Sequence, residues 1–220
     1  MKTLVVAPHP DDEALGVGGT LLRRKAEGAS TAWLIVTGIT KDFGWSDEKV
    51  ATRETEISRI SEFFGFHEVY NLRLPTTKLD IVPIYEVVQK ISECINLYRP
   101  EEVFIPHIGD VHTDHGVVFN AVVSCTKWFR YPFIKRILSY ETISETDFGL
   151  DSSLVFSPNV FVDISDFIEQ KLKAMEIYSL EMGDFPFPRS RQSIEALAKV
   201  RGSSAGFKAA EAFQLLRERY

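Results

Sequence analysis

Cysteine is scarce in this sequence: 220 residues hold two, Cys94 and Cys125, and both fall on the apolar faces of stretches with helical spacing. A disulfide-built fold is excluded. Both thiols read as reduced core residues, and a cytoplasmic location is the expectation. Long hydrophobic runs are missing too. No stretch approaches the length of a membrane span, and the amino-terminal residues enter a strand pattern without the marks of a signal peptide. Basic stripes are also lacking. With 25 basic against 31 acidic side chains the net charge is −6, which argues against nucleic acid as a partner. There is no repeat, low-complexity tract or linker, so residues 1–220 are expected to form one domain. A chain of this length buries roughly 70 % of its unfolded surface.

What is present is dense and local. The apolar run Thr3 to Ala7 stops at Pro8, and His9, Pro10, Asp11, Asp12 and Glu13 follow at once. The run predicts a strand buried on both faces, and helical spacing resumes after Glu13, which puts His9 to Asp12 at the strand's carboxyl end. Strand patterns recur at 31–37, 68–72, 102–106, 137–140 and 160–162. Helical patterns fall at about 49–64, from Pro83 to Tyr98, behind His115, at about 164–181 and near 193–199. This alternation predicts an α/β fold, a Rossmann-like, mostly parallel sheet flanked by helices.

The 102–106 strand repeats the opening grammar: apolar run, proline, polar loop, helix. Its loop carries His107, Asp110, His112, Asp114 and His115. Right-handed crossovers bring both polar loops to one sheet edge, where open α/β sheets bind ligands. His9 and Asp12, three residues apart, offer imidazole and carboxylate to a metal such as Zn²⁺, and His115 completes three ligands with a position left open for water. Asp11, between His9 and Asp12, stays free for other work. Residues 38–48 and Gly183 to Arg189 combine glycine, proline and aromatics. One of these loops is expected to border the site or lie between subunits of a homo-oligomer.

The two motifs together, Ala7 to Glu13 with the glycines after it and His112-x-Asp114-His115, resemble the PIG-L/LmbE-like zinc de-N-acetylases. Arg53 to Glu56, Asn71 to Pro75, Tyr140-Glu141 and the stretch from Arg201 to Phe213 resemble further blocks of that family. The resemblance implies a Zn²⁺-dependent deacetylase, hydrolysing the linear amide of an N-acetylated amino sugar (GlcNAc-type) or its conjugate. His9, Asp12 and His115 would be metal ligands and Asp11 the general base. His112 would be an imidazolium facing the oxyanion, its pKa raised and its ring oriented by Asp114. Arg53 would contact substrate. Where the family often has an aspartate after Pro75, this chain has Thr76, with Asp80 the nearest acid. Arg189 and Arg191 read as solvated surface.

Three other readings compete. A dinucleotide fold would need glycine where Leu21 stands, and Asp11 and Asp12 would repel a pyrophosphate. Two histidines and a carboxylate also suit a non-haem Fe(II) oxygenase. The third is a metal-binding Rossmann-like module without catalysis.

Overall fold

A computed structural model describes residues 1–220. One seven-stranded sheet organises it, in the order β3-β2-β1-β4-β5-β7-β6. Strands β1 (Lys2–Ala7), β2 (Ser30–Gly38), β3 (Glu68–Pro75), β4 (Glu102–Pro106) and β5 (Arg136–Tyr140) run parallel. The last pairings, of β5 with β7 (Ala210–Glu218) and of β7 with β6 (Val160–Asp163), are antiparallel. Helices α1 (Asp12–Ala26), α2 (Asp47–Phe64), α3 (Ile84–Tyr98), α4 (Thr113–Ser124), α5 (Ile168–Ile177) and α6 (Arg191–Ser203) cover the two faces.

The period-two geometry of the central strands divides the core. On β1, Leu4 and Val6 join the layer built with Ile91 and Ile95 of α3 and Val118 and Val122 of α4. Val5 and Ala7 turn to the opposite layer, with Leu15 and Leu21 of α1, Ile60 of α2 and Met175 of α5. Burying each large apolar side chain contributes roughly 1.5–3 kcal/mol. Cys94 and Cys125 are free and buried in the first layer.

Two features fix α1 against its neighbours. A Cβ on Gly16 would lie 2.3 Å from Cδ2 of Tyr140, whose hydroxyl donates to the Val6 carbonyl at 2.9 Å. That contact explains a glycine inside a helix better than backbone freedom does. Glu211 of β7 accepts the Gly19 and Thr20 amides and the Lys171 ammonium, which also donates to the Leu15 carbonyl. Helix α1 is thereby tied to α5 and β7.

Some boundaries depart from the periodic reading. The 164–181 pattern forms a helix only over Ile168–Ile177. Its start is displaced by the turn at Asp163, whose carboxylate accepts from Ser165, and by the Ile164 amide, which donates to the Ala209 carbonyl. Pro83 caps α3 from one position before its first residue. Strand β3 extends to Pro75, through an irregularity in its pairing with β2.

Strand β1 sits between β2 and β4, so the chain leaves it in opposite directions across the sheet. This is a topological switch point, and the carboxyl ends of β1 and β4 flank the crevice that opens there.

Candidate active site

The turn between β1 and α1 is held in an unusual backbone conformation. Asp11 has φ 133° and ψ −30°, a region that costs a non-glycine residue about 1–3 kcal/mol. Its surroundings sustain it. The Asp11 amide donates to Oε2 of Glu13 at 3.1 Å, and the Tyr178 hydroxyl holds Oε1 of Glu13 at 2.8 Å. Burial pushes Glu13 up to about 8, against those two hydrogen bonds. The twist sends Asp11 and Asp12 in different directions although they are neighbours in sequence.

Asp12 turns inward. Its Oδ2 accepts the His9 amide at 2.8 Å and lies 3.4 Å from both His9 Nδ1 and His115 Nε2. Although burial opposes ionisation, the imidazoles of His115 and His9 hold Asp12 well below the usual carboxylate range. Ligand atoms of His9, Asp12 and His115 all fall within 4.8 Å of one another. Behind each histidine stands a carboxylate: His115 Nδ1 lies 2.7 Å from Asp110 Oδ2, and His9 Nε2 lies 3.0 Å from Asp114 Oδ2. Such pairs fix the tautomer and leave the opposite ring nitrogen as the donor to a metal. Burial disfavours charge on His9, yet Asp114 and Asp12 outweigh it and raise the ring to about 9.

The donor set fits a divalent ion. His115 Nε2 is buried and has no hydrogen-bond partner, 3.4 Å from Oδ2 of Asp12. An unpartnered buried nitrogen of this kind is costly unless a ligand takes its lone pair. A second grouping, His9 with His112 and Asp114, is equally compact, but its donors are already engaged. Asp114 accepts the Thr77 amide at 2.7 Å and the Leu79 amide at 3.1 Å besides His9, and His112 Nδ1 accepts the Asp114 amide at 3.1 Å.

Asp11 faces a cavity of about 240 Å³ whose wall includes His9, Arg53, Thr76, His112, Glu181 and Arg189. Its Oδ2 accepts from Arg189 Nη1 at 2.9 Å, and its Oδ1 takes no hydrogen bond from the protein. Burial, with Asp12 and Glu181 nearby, raises the Asp11 carboxyl to about 7 against the pull of Arg189 and His9. A base near the operating pH is what general-base catalysis asks for. Glu181 lies between two arginines, paired with Arg53 Nη2 and 3.3 Å from Arg189 Nη1. Arg53 also donates to the Pro10 carbonyl at 2.8 Å, buttressing the turn that carries Asp11.

Several expectations need correction. Asp114 does not orient His112 through its carboxylate, which is spent on His9, Thr77 and Leu79; its backbone amide makes the contact. The surroundings of His112 do not favour an imidazolium. Burial, then the neighbouring His9 and His115, lower it to about 4. Nδ1 accepts the Asp114 amide, an arrangement that suits a neutral ring with Nε2–H as donor. Arg189 is not solvated surface but reaches Asp11, whereas Arg191 is exposed and paired with Glu169 and Glu176. Thr76 lines the cavity, while Asp80 is exposed and outside it. Both glycine- and aromatic-bearing loops border the site, through Trp45 and Arg189.

Sequence reasoning passed over Asp110, Glu181 and Arg189 as site residues. Asp110 carried a usable signal, an acid five residues before a candidate ligand at a strand's carboxyl end. Arg189 carried a weaker one, as the last residue of a glycine-, proline- and aromatic-bearing loop, and Glu181 carried none, because a charged residue beyond a helix reads as solvated until the fold brings it home.

The sequence profile described as PIG-L, GlcNAc-PI de-N-acetylase, matches residues 4–126. The chain belongs to the PIG-L family. The family is metal-dependent, and a His/Asp/His site is available here for the ion. The chain is 25% identical over 232 residues to the diacetylchitobiose deacetylase of Thermococcus kodakarensis, a match spanning 98% of this chain and 83% of that protein. It is 28% identical over 182 residues to a probable N-acetyl-alpha-D-glucosaminyl L-malate deacetylase 2 of Bacillus cereus, covering 78% and 80% of the two. Among solved structures, the conserved protein TT1542 of Thermus thermophilus superposes with a TM-score of 0.78 at 31% identity, over 99% of this chain and 95% of that one.

Proposed function

We propose that this PIG-L family member is a metal-dependent deacetylase that hydrolyses the acetamide of an N-acetylated amino sugar or sugar conjugate, with zinc as the ion. His9, Asp12 and His115 would hold it. The observation that carries the reading is a buried, unpartnered His115 Nε2 opposite Asp12, together with a free Asp11 oxygen on the cavity that Asp12 also lines. Two histidines and one carboxylate also match the ligand types of catalytic zinc sites.

When bound, the ion would supply Lewis-acid polarisation of the amide carbonyl and make water acidic enough to deprotonate near neutral pH. The protein's own groups do the rest. Asp11, held at Oδ2 by Arg189, takes the proton of the attacking water at Oδ1. Carbon–oxygen bond formation leaves negative charge on the former carbonyl oxygen, and the neutral His112 donates Nε2–H to it. A preorganised donor in a site with little water is worth far more than the same bond in solvent. Asp11 then returns its proton to the nitrogen as the carbon–nitrogen bond breaks, so acetate and free amine leave and the base is restored. Arg53 fixes the Pro10–Asp11 turn through the Pro10 carbonyl and faces the cavity where the sugar would lie.

The competing readings are less well served. Asp11 and His112 both line the cavity as a base and a donor, the two groups that amide hydrolysis needs beside the ion. No helix is long and apolar enough to cross a membrane. A cytoplasmic setting belongs to the proposal, consistent with two free buried thiols. So does a homo-oligomer, with the exposed rings of Trp128 and Phe129, 5.9 Å apart, as a candidate contact.

The test is a panel of N-acetylated sugars and sugar conjugates offered to zinc-loaded protein, with acetate and free amine both measured. Release of the two in equal amounts from a panel member is expected. Absence of acetate from every member would refute the reading.

A further inference from the structure

The reactive cavity carries one acidic side chain that no other group in the protein engages. Four carboxylates line it, and three have partners: Asp11 with Arg189, Asp12 with the His9 amide and the two imidazoles, and Glu181 with Arg53 and Arg189. The fourth, Glu145, is half-buried on the wall, and its carboxylate takes neither a hydrogen bond nor an ion pair. Burial raises its carboxyl above the ordinary value, outweighing the pull of His115 and Arg189 nearby. Its backbone, by contrast, is fully committed. The Glu145 amide donates to the Thr142 carbonyl at 3.0 Å, and its carbonyl accepts the Val111 amide at 3.2 Å. Ser144 before it sits at φ 79°, a left-handed conformation that a serine keeps only when its surroundings hold it there. The Ser144 amide donates to Asp147 Oδ1 at 2.6 Å, and the Thr142 amide donates to Thr146 Oγ1 at 2.8 Å. The Thr146 hydroxyl in turn reaches Asp110, the carboxylate behind His115. The turn from Thr142 to Thr146 is therefore fixed relative to the metal ligands, and it presents one uncommitted acceptor to the cavity. A half-buried carboxylate without a donor is stabilised by a ligand that supplies one.

We propose that Glu145 is a specificity-determining residue of the reaction, accepting a hydrogen bond from a ring hydroxyl of the substrate's sugar. The inference rests on the deacetylase reading, because the sugar has to lie in this cavity. Charge selects a neutral donor. The two guanidiniums and a bound divalent ion would balance the four carboxylates, so the loaded cavity has no net charge for an ionic ligand to offset. Both arginines are held by Asp11 and Glu181, and the ion would be held by His9, Asp12 and His115, so none of these cations is left for Glu145. A hydroxyl meets it without changing that balance. Hydrogen bonds to a charged acceptor are roughly twice as strong as neutral ones. A site built to accept a hydroxyl rejects the analogue that lacks it, because the acceptor is then left unpaired. The Glu145 side chain bonds to no ligand residue, so its loss should weaken ground state and transition state alike and appear in KM rather than kcat.

The experiment compares zinc-loaded wild type, Glu145→Gln and Glu145→Ala on methyl N-acetylglucosaminide and its 3-, 4- and 6-deoxy analogues, with acetate release and bound zinc both measured. On the parent glycoside KM should rise about fivefold for Glu145→Gln and about 10–100-fold for Glu145→Ala, at unchanged kcat and zinc content. One deoxy analogue should show a similar rise with wild type, and Glu145→Ala should add nothing further to it. The other analogues should respond to the variants as the parent does. An unchanged KM, an equal loss on the parent and all its analogues, or a loss carried by kcat or by zinc would overturn the role. Glu145→Gln keeps the shape of the side chain, so the comparison stands even where the alanine variant fails to fold. Affinity for the same glycosides is measured by ligand-observed NMR in the Asp11→Asn background, where turnover is slow. A contrast in affinity that needs both Glu145 and one hydroxyl, with no acetate released by wild type, would refute the deacetylase reading alone. Acetate release without that contrast in KM or affinity would refute the role of Glu145 alone, and the absence of both would refute both.

Discussion

Asp110 offers the sharpest perturbation of the metal site, because it touches His115 without belonging to the ligand set. Its Oδ2 lies 2.7 Å from His115 Nδ1, and its Oδ1 accepts the Thr146 hydroxyl at 2.6 Å. Both side chains are almost wholly buried, so no water is at hand to replace the contact. The carboxylate keeps the proton on Nδ1, which leaves the Nε2 lone pair aimed at Asp12. Partners of this kind are worth about 10–100-fold in metal affinity, or about 1.4–2.7 kcal/mol. Asp110→Asn keeps the shape and can still accept from Nδ1–H, but loses the charge, so its zinc affinity should fall about tenfold. Asp110→Ala also frees the ring to flip or change tautomer, and about 100-fold is expected. Zinc affinity is measured by competition with a chromophoric chelator, beside circular dichroism to show that the fold persists. An Asp110→Ala protein that folds and binds zinc as tightly as wild type would refute the role given to Asp110 and the choice of His115 Nε2 as a ligand atom.

Other outcomes follow from the same geometry. Asp11→Asn should keep zinc bound yet lose about 10²–10⁴ in kcat, since asparagine cannot accept a proton; a metal-free variant, or one with near wild-type kcat, would contradict the base assignment. The same variant should raise the thermal midpoint of the metal-free protein, by about 0.5–2 kcal/mol in stability, because it removes a buried charge that burial and Asp12 oppose; calorimetry at neutral pH reads this. Raising the Asp11 carboxyl to about 7 means the basic form is lost as pH falls through that value, so kcat/KM should drop on the acid side. A bound cation favours the ionised form, which places the midpoint at or below about 7 in the loaded enzyme; a flat acid limb down to about pH 5 would count against Asp11. Gly16→Ala should destabilise by about 1–3 kcal/mol, since the new methyl would sit 2.3 Å from the Tyr140 ring in a fully buried contact; a denaturation midpoint equal to wild type would refute that packing argument.

How much of this was legible in the sequence depended on how far apart the cooperating residues lie. The parallel sheet could be read because Thr3 to Ala7, Thr31 to Thr37 and Glu102 to Pro106 carry their own patterns, and each ends at a polar loop. His9, Asp12 and His115 could be grouped because two strand ends of the same grammar must share one sheet edge. The pairing of the Asp114 carboxylate with His112 is what the family resemblance implies; in the structure the first turn of α4 points that carboxylate at His9 across the crevice. His112 was expected charged because only the neighbouring acid was counted. Its burial and two adjacent imidazoles, which decide the matter, exist only after folding. Arg189 lies 178 residues from Asp11, and no periodicity links them. The glycines after Glu13 were visible, but the reason for Gly16 is the Tyr140 ring, which arrives from β5.

The central claim is that His9, Asp12 and His115 hold one catalytic ion on which acetate release depends. The direct measurement is a zinc titration of chelator-stripped wild-type and His115→Ala proteins, following bound metal and acetate release from the best substrate of the panel together. The account predicts that wild-type activity rises linearly and saturates at one equivalent, while folded His115→Ala binds no stoichiometric zinc and stays inactive. Acetate release by stripped wild type, or one tightly bound zinc in His115→Ala, would contradict it.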